Sequence, residues 1–116
     1  MRNDKENLIV KLSLEFALEI IDFSELLEDK KKFVIARQIL RSGTSIGANI
    51  REAQNAESKQ DFIHRMKMAA KEADETEYWL TLCKLSKNYP SPDHLKEKLQ
   101  SIINIISKII STSKSK

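Results

Sequence analysis

The sequence contains few of the residues that end helices and form tight turns, with two glycines and two prolines among 116 residues. These two residue types together make up roughly 12% of an average protein. Sandwiches and barrels need a turn every few residues, so this scarcity argues against them and favours long helices. The single cysteine excludes an internal disulfide and any zinc or iron–sulfur site built from several cysteines.

Long apolar runs are also missing. No stretch of about 18 consecutive apolar residues occurs, so the sequence predicts no transmembrane helix and no membrane partner. The first residues are charged and lead directly into an amphipathic pattern, without the apolar core of a signal peptide. We therefore expect a cytoplasmic protein. Its length and its 41% hydrophobic content predict one folded domain over residues 1–116.

Apolar residues recur at helical spacing in four segments. We predict helices at about residues 4–27, 33–56, 59–87 and 92–110, followed by a frayed polar tail at 111–116. Ser58, and Ser91 followed by Pro92, are typical helix-start residues. The short connections predict an all-α fold, an antiparallel up-down-up-down four-helix bundle. The alternative is a three-helix arrangement in which the fourth helix is reserved for a partner.

Both glycines fall in the second segment, with the spacing Gly43-x-x-x-Gly47. Each costs about 1 kcal/mol of helix propensity relative to alanine. A break in the helix near residues 42–44 is one interpretation. Since the apolar period continues in phase across both glycines, we favour an unbroken helix whose small face lets a neighbouring helix approach closely.

Charge is unevenly distributed. The whole chain has a net charge of +3, but residues 1–29 carry three basic and eight acidic groups, whereas residues 30–57 carry six and two. Complementary packing of an acidic first helix against basic neighbours explains this pattern, and charge alone favours that interpretation. The other interpretation is a basic face for nucleic acid. Its candidate residues are Lys30, Lys31, Lys32, Arg37 and Arg51.

The residues that often carry chemistry do not form a recognisable site. His64 and His94 lie in different segments and neither belongs to a metal-binding pair, so we expect no metal. Cys83 falls on the apolar stripe of the third segment and is expected to be a buried, inert thiol. Trp79 is expected to pack at a helix or subunit interface. Without a glycine-rich phosphate loop or a Ser-His-Asp set, we expect no enzyme and no cofactor.

A polar stripe runs beside the apolar one in the second segment. It consists of Arg37, Arg41, Ser45, Asn49 and Glu52. If the third segment is antiparallel to the second, Arg41 lies opposite Asp74 and its neighbours Glu72 and Glu75. We expect an arginine–carboxylate pair that sets the register of the two helices. The alternative is a solvated salt-bridge face.

This stripe also carries a resemblance to a known family. Residues 38–53, QILRSGTSIGANIREA, resemble the central motif of the four-helix bundle proteins related to the 23S ribosomal RNA intervening sequence protein. The block SKQDFI at 58–63, followed by AKEADETEYWL at 70–80, is similar to the same family, and the resemblance covers roughly residues 12–88. The sequence departs from the family at 51–53, where many members read Ala-Glu-Gly.

The resemblance implies an up-down bundle that assembles as a homopentamer. Some members are encoded inside intervening sequences of ribosomal RNA genes. A related protein, the accessory variability determinant of diversity-generating retroelements, is a basic pentamer that binds nucleic acid and the reverse transcriptase. No member is a known enzyme, so no catalytic residue carries over. The residues that match the family motif, without an assigned role, are Arg41, Gly43, Ser45, Gly47, Asn49, Glu52, Glu72 and Glu75.

Two functional hypotheses follow. The first is a non-enzymatic oligomeric module that binds RNA or DNA through basic surfaces pooled from several copies. The second is a purely structural or protein-partner module whose charges stay internal. Both include self-association, because the two-sided apolar pattern of the first helix and the six isoleucines of the fourth exceed the needs of one bundle interior.

Overall fold

The structure is a computed structural model that describes the backbone of residues 4–115 and the side chains of residues 8–115. It contains four helices: α1 (Asp4–Asp29), α2 (Phe33–Gln54), α3 (Lys59–Leu85) and α4 (Asp93–Lys114). No strand occurs between residues 4 and 115. The all-α prediction is confirmed, and each predicted segment corresponds to one helix.

The helices pack in a ring in which each one contacts two others. The close pairs are α1 with α2, α2 with α3, α3 with α4, and α4 with α1, and between residues 4 and 115 no diagonal pair of helices brings Cα atoms within 8 Å. The molecule measures 47 × 20 × 19 Å. Since one helix is about 10–12 Å in diameter, the bundle is two helices wide in both short directions.

The fourth helix belongs to the core of this bundle. Leu95, Leu99, Ile102, Ile106 and Ile109 are buried. The alternative of a three-helix arrangement, with the fourth helix reserved for a partner, is therefore wrong. The predicted frayed tail is also wrong for residues 111–114, because Ser115 N–H donates to the Ser111 carbonyl and the helical hydrogen bonds continue past the last isoleucine.

The predicted helix starts agree with the structure to within one residue. Ser58 Oγ accepts the backbone N–H of Asp61 at 3.0 Å, which is a helix N-cap. Ser91 Oγ accepts the N–H of Asp93 at 3.3 Å, so α4 begins directly after Pro92. Lys31 has a φ of 64°, a left-handed conformation that ends the helical path of α1. Helix α3 ends at Leu85, two residues before the predicted end, because Ser86 is extended; Asn88, with a φ of 66°, lies in the turn that follows.

The two glycines lie inside an unbroken α2 and face α1. A Cβ built on Gly43 would lie 2.9 Å from two side-chain carbons of Ile20. A Cβ on Gly47 would lie 3.4 Å from the Ser13 carbonyl oxygen. The interpretation as a close helix approach is confirmed, and the alternative of a helix break is wrong.

Candidate functional site

The motif residues of α2 hold it against α3 through a charged contact at the surface. Arg41 Nη1 donates to Glu72 Oε1 at 3.3 Å, and Nη2 donates to Glu75 Oε2. The predicted arginine–carboxylate pair is confirmed for these two partners, whereas Asp74 is exposed and does not bind Arg41. The Arg41 side chain is 49% exposed. Because exposed pairs contribute only about 0–1 kcal/mol, this pair orients the helices more than it stabilises them.

The buried polar contact between the same helices joins Ser42 and Thr76, both 0% exposed. Their hydroxyl oxygens are 2.9 Å apart, and Thr76 Oγ1 is 2.7 Å from the Glu72 carbonyl oxygen. A hydroxyl has one proton. When Thr76 donates it to the carbonyl, Ser42 donates to Thr76 and both groups are satisfied. The sequence signal for this contact is a threonine at an apolar-stripe position of α3.

The remaining motif side chains also bond within or between these helices. Ser45 Oγ donates to the Arg41 carbonyl at 2.6 Å, and Asn49 Nδ2 donates to the Ser45 carbonyl at 2.9 Å. Glu52 Oε2 accepts from Arg65 Nη1 at 2.8 Å. Two stripe residues, Arg41 and Glu52, therefore join α2 to α3, whereas Ser45 and Asn49 bond to carbonyls of α2 itself.

Trp79 shares this contact as a packing residue. Its Nε1 donates to Glu75 Oε2 at 3.0 Å, on the carboxylate that also binds Arg41. The ring packs partly buried against the core, and the Tyr78 ring meets it edge-on at a centroid distance of 5.3 Å. The prediction of a tryptophan at a helix interface is confirmed.

The candidate nucleic-acid residues are spread along the bundle. Lys30 and Lys31 are exposed in the α1–α2 connection, and Lys32 lies with its Nζ 4.9 Å from the centre of the Tyr89 ring. Arg37 and Arg51 are exposed on α2, about 21 Å apart along the axis at 1.5 Å per residue. None of the five forms an ion pair with residues 8–115.

The acidic α1 directs its ion pairs to α4. Glu19 binds Lys98 Nζ, and its other oxygen is 3.1 Å from His94 Nε2. Within the part of the chain with described side chains, no α1 carboxylate pairs with a basic residue of α2. The complementary charges of the bundle therefore meet at the α1–α4 edge, and the basic side chains of α2 stay uncovered by α1.

An apolar stripe lies on the outer face of α1. Leu14 is 58% and Leu18 57% exposed, and Ile21 continues the stripe at helical spacing. The buried residues of α1, including Phe16 and Ile20, lie on the opposite side of the helix. The outer face of α1 is therefore apolar and exposed within one chain.

The isoleucines of α4, by contrast, are used inside the bundle. Ile102, Ile106 and Ile109 are buried, and the other three pack partly buried against the core: Ile103, Ile105 and Ile110. The α4 isoleucines are therefore not surplus to one bundle interior, whereas Leu14 and Leu18 of α1 remain exposed.

Cys83 is 1% exposed, and burial raises the pKa of its thiol to about 11. A thiol with such a pKa is almost wholly protonated near neutral pH, which agrees with the predicted inert residue. His64 and His94 are exposed on different helices. Among the described residues no three His, Cys, Asp or Glu side chains form a group that could hold a metal ion, and no helix has the length and apolarity needed to cross a membrane.

Comparisons with known proteins agree with the fold and the motif. The family model described as 23S rRNA-intervening sequence protein matches residues 5–112. A crystal structure from Bacteroides thetaiotaomicron, described as a protein with unknown function from the S23 ribosomal protein family, is 43% identical. It superposes with a TM-score of 0.88 over 92% of this chain and 98% of that chain. No curated protein matches the chain.

Proposed function

This chain belongs to the family of 23S rRNA-intervening sequence proteins, and on that premise we propose that it is a non-enzymatic, oligomeric four-helix bundle that binds RNA or DNA in the cytoplasm. The observation that carries the proposal is the set of uncovered basic side chains on the α1–α2 connection and α2. Because α1 pairs with α4 instead, these charges remain available to phosphate groups.

The proposed bundle is up-down-up-down, and the inter-helix contacts support this orientation. Arg41 of α2 contacts Glu72 of α3, whereas Glu52, further along α2, contacts Arg65, which precedes Glu72. A later residue of one helix thus meets an earlier residue of the next. The pair Lys84–Asp93 joins the end of α3 to the start of α4 in the same sense.

The proposed assembly is a homopentamer formed through the outer face of α1. Leu14, Leu18 and Ile21 supply the apolar contact, and exposed Leu40 on the neighbouring α2 extends it. Burying such surface contributes about 25 cal/mol per Å². Five copies with a net charge of +3 would carry about +15, and affinity for phosphates rises steeply with the number of contacts.

The proposed binding is largely independent of base sequence. Lysine and arginine contacts to phosphate fix position but do not read bases. Trp79 does not provide a stacking platform, because its ring is bonded to Glu75 and packed on the core. We therefore expect contacts to the sugar-phosphate backbone of either RNA or DNA.

The second candidate function is a structural module with a protein partner. The family-motif residues favour it, because Arg41 and Glu52 bind side chains of α3, and Ser45 and Asn49 bond to carbonyls of α2, so these polar groups are used within the bundle. In that case the α1 stripe binds a protein other than a second copy. A nucleic-acid assay separates the two candidates.

The test is a mobility shift with a mixed panel of RNA and DNA at about 50 mM salt. We expect a shift at tens of micromolar protein that weakens by orders of magnitude at about 200 mM salt. Replacing Lys30, Lys31 and Lys32 with glutamine should lower both the affinity and the salt slope, with circular dichroism confirming unchanged helix content. Absence of any shift with the wild-type protein would overturn the proposal and favour the structural module.

A further inference from the structure

One half of the α3–α4 surface contains basic residues but no acidic ones. Residues 62–71 of α3 and 104–115 of α4 include no Asp or Glu. The two stretches lie at the same end of the α3–α4 pair, because Lys84 contacts Asp93 and Glu77 contacts Lys96 at the other end, so later residues of α3 meet earlier residues of α4. Arg65 is engaged with Glu52 and Asp61. The remaining basic residues of the two stretches are His64, Lys67, Lys71, Lys108 and Lys114.

All five residues are exposed, and we name the side chains of His64, Lys67, Lys71 and Lys114 the α3–α4 basic surface. His64, Lys67 and Lys71 follow one another at helical spacing on the same side of α3. Lys114 faces them from α4. Within residues 8–115 none of the five forms an ion pair with a carboxylate.

The surface includes a concave site. An open depression of about 430 Å³ is lined by Lys59, Gln60, Ile63, His64 and Lys67. Among the residues with described side chains, its lining combines lysines, a histidine, an amide and one isoleucine. A concave cationic site of this kind fits a phosphate group better than a flat surface does, because several donors can converge on its oxygens.

In the other half of the α3–α4 contact, basic residues are paired with acidic ones. Lys84 Nζ is 2.8 Å from Asp93 Oδ1, and Lys96 Nζ is 2.9 Å from Glu77 Oε1. In the basic half, Lys67 of α3 lies next to Lys114 of α4, so two positive charges are neighbours. The side chain of the neighbouring Lys114 lowers the pKa of Lys67, because a second ammonium group close by disfavours the charged form. An anion between these ammonium groups relieves the repulsion.

We propose that the α3–α4 basic surface binds phosphate groups of a polynucleotide backbone. This inference rests on the proposed function for its ligand, but it assigns that ligand to residues on other helices than Lys30, Lys31, Lys32, Arg37 and Arg51. The position also suits the proposed assembly. Helix α3 has no contact with α1 within residues 4–115, so an assembly through the outer face of α1 leaves the α3 surface open.

The first experiment compares two triple variants that each remove three positive charges. Lys67→Gln/Lys71→Gln/Lys114→Gln tests the α3–α4 basic surface. Lys30→Gln/Lys31→Gln/Lys32→Gln removes the same number of charges from the α1–α2 connection and is the variant for comparison. In a mobility shift at about 50 mM salt, we expect the α3–α4 variant to lose about tenfold or more in affinity and about two units of salt slope. If wild-type protein binds and this variant binds equally well, the inference is overturned while the proposed function stands.

The second experiment needs no nucleic acid and therefore judges the inference even if the proposed function fails. The probe is inorganic tripolyphosphate, and the signals are the ring protons of the two histidines in one-dimensional NMR. His64 lines the depression, whereas His94 lies about 30 Å from Lys114 along α4 and serves as the internal control. We expect His64 alone to shift on titration, and the shift to vanish in Lys67→Gln/Lys114→Gln. No shift of His64, or equal shifts of both histidines, would overturn the inference.

Discussion

Gly43 of α2 lies so close to Ile20 of α1 that a Cβ at position 43 would be 2.9 Å from both Cγ1 and Cγ2 of Ile20. Real Cβ atoms essentially never come so near to another carbon. Ile20 is itself 0% exposed and packed in the core, so it has little room to move away. The spacing between α1 and α2 at this level therefore depends on the absence of a side chain at position 43.

Gly43→Leu should destabilise the bundle by about 3 kcal/mol, because the added side chain overpacks the contact with Ile20. The matched control is Gly47→Ala, whose Cβ would make an ordinary contact of 3.4 Å with the Ser13 carbonyl oxygen. That control should be neutral or stabilising by up to about 1 kcal/mol through helix propensity. Urea unfolding followed by circular dichroism measures both changes. An unchanged midpoint for Gly43→Leu would contradict the close approach.

Thr76→Val should cost about 1–2 kcal/mol of unfolding free energy, because it leaves the buried Ser42 hydroxyl without its acceptor. Arg41→Gln should cost less than about 1 kcal/mol despite removing a charge, since its pair is half exposed. The double variant Ser42→Ala/Thr76→Val should lose less unfolding free energy than the sum of the losses for Ser42→Ala alone and Thr76→Val alone. Strict additivity in this cycle, measured by urea unfolding, would mean that the two hydroxyls are not coupled.

Cys83 should resist thiol reagents in the folded protein and react fully once the protein is unfolded. Burial raises its pKa from 9.0 to about 11, so the folded state keeps the proton through a range in which the unfolded state loses it. Ionisation therefore favours unfolding as pH rises from about 9 to about 11. The stability of the wild type should fall relative to Cys83→Ala over this interval, as measured by urea unfolding at several pH values. A constant difference between the two proteins would contradict the assigned burial effect.

Leu14→Glu/Leu18→Glu should convert the proposed oligomer into a folded monomer of 13.4 kDa, because both side chains are more than half exposed within the chain. Light scattering measures the mass, and circular dichroism should show unchanged helix content. Leu85→Glu is the control: Leu85 is 77% exposed at the end of α3, and this change should leave the assembly intact. A wild-type protein that is already monomeric at micromolar concentration would rule out the assembly.

Local sequence patterns predicted most of the fold, because the spacing of apolar residues reflects which side of each helix is buried. The apolar period placed all four helices, and the phase of that period across Gly43 and Gly47 distinguished a close approach from a break. Register reasoning between α2 and α3 placed Arg41 opposite its carboxylates. These features depend on the geometry of single helices and on the short connection between α2 and α3, and both can be predicted from local sequence.

The features that were missed depend on tertiary contacts. The Ser42–Thr76 bond joins residues of two helices, and Thr76 looks like an ordinary small stripe residue in sequence. The width of the α4 apolar face was misread as an interface, because the ring of helices buries more of each isoleucine than a single stripe suggests. The proximity of Lys67 and Lys114 needs the α3–α4 register along its full length. Composition alone could only show that both stretches lack acids.

The ring of helices has a kinetic consequence. Three of its four contacts join helices that are consecutive in sequence, and only α1 with α4 joins distant parts of the chain. Folding rates rise when contacts are local, so we expect hairpins of consecutive helices to form early and fast. Docking of α4 on α1 then costs the conformational entropy of bringing the two ends of the chain together. The contacts of Glu19 with Lys98 and His94 lie at the edge of that last contact, where they hold the ring closed.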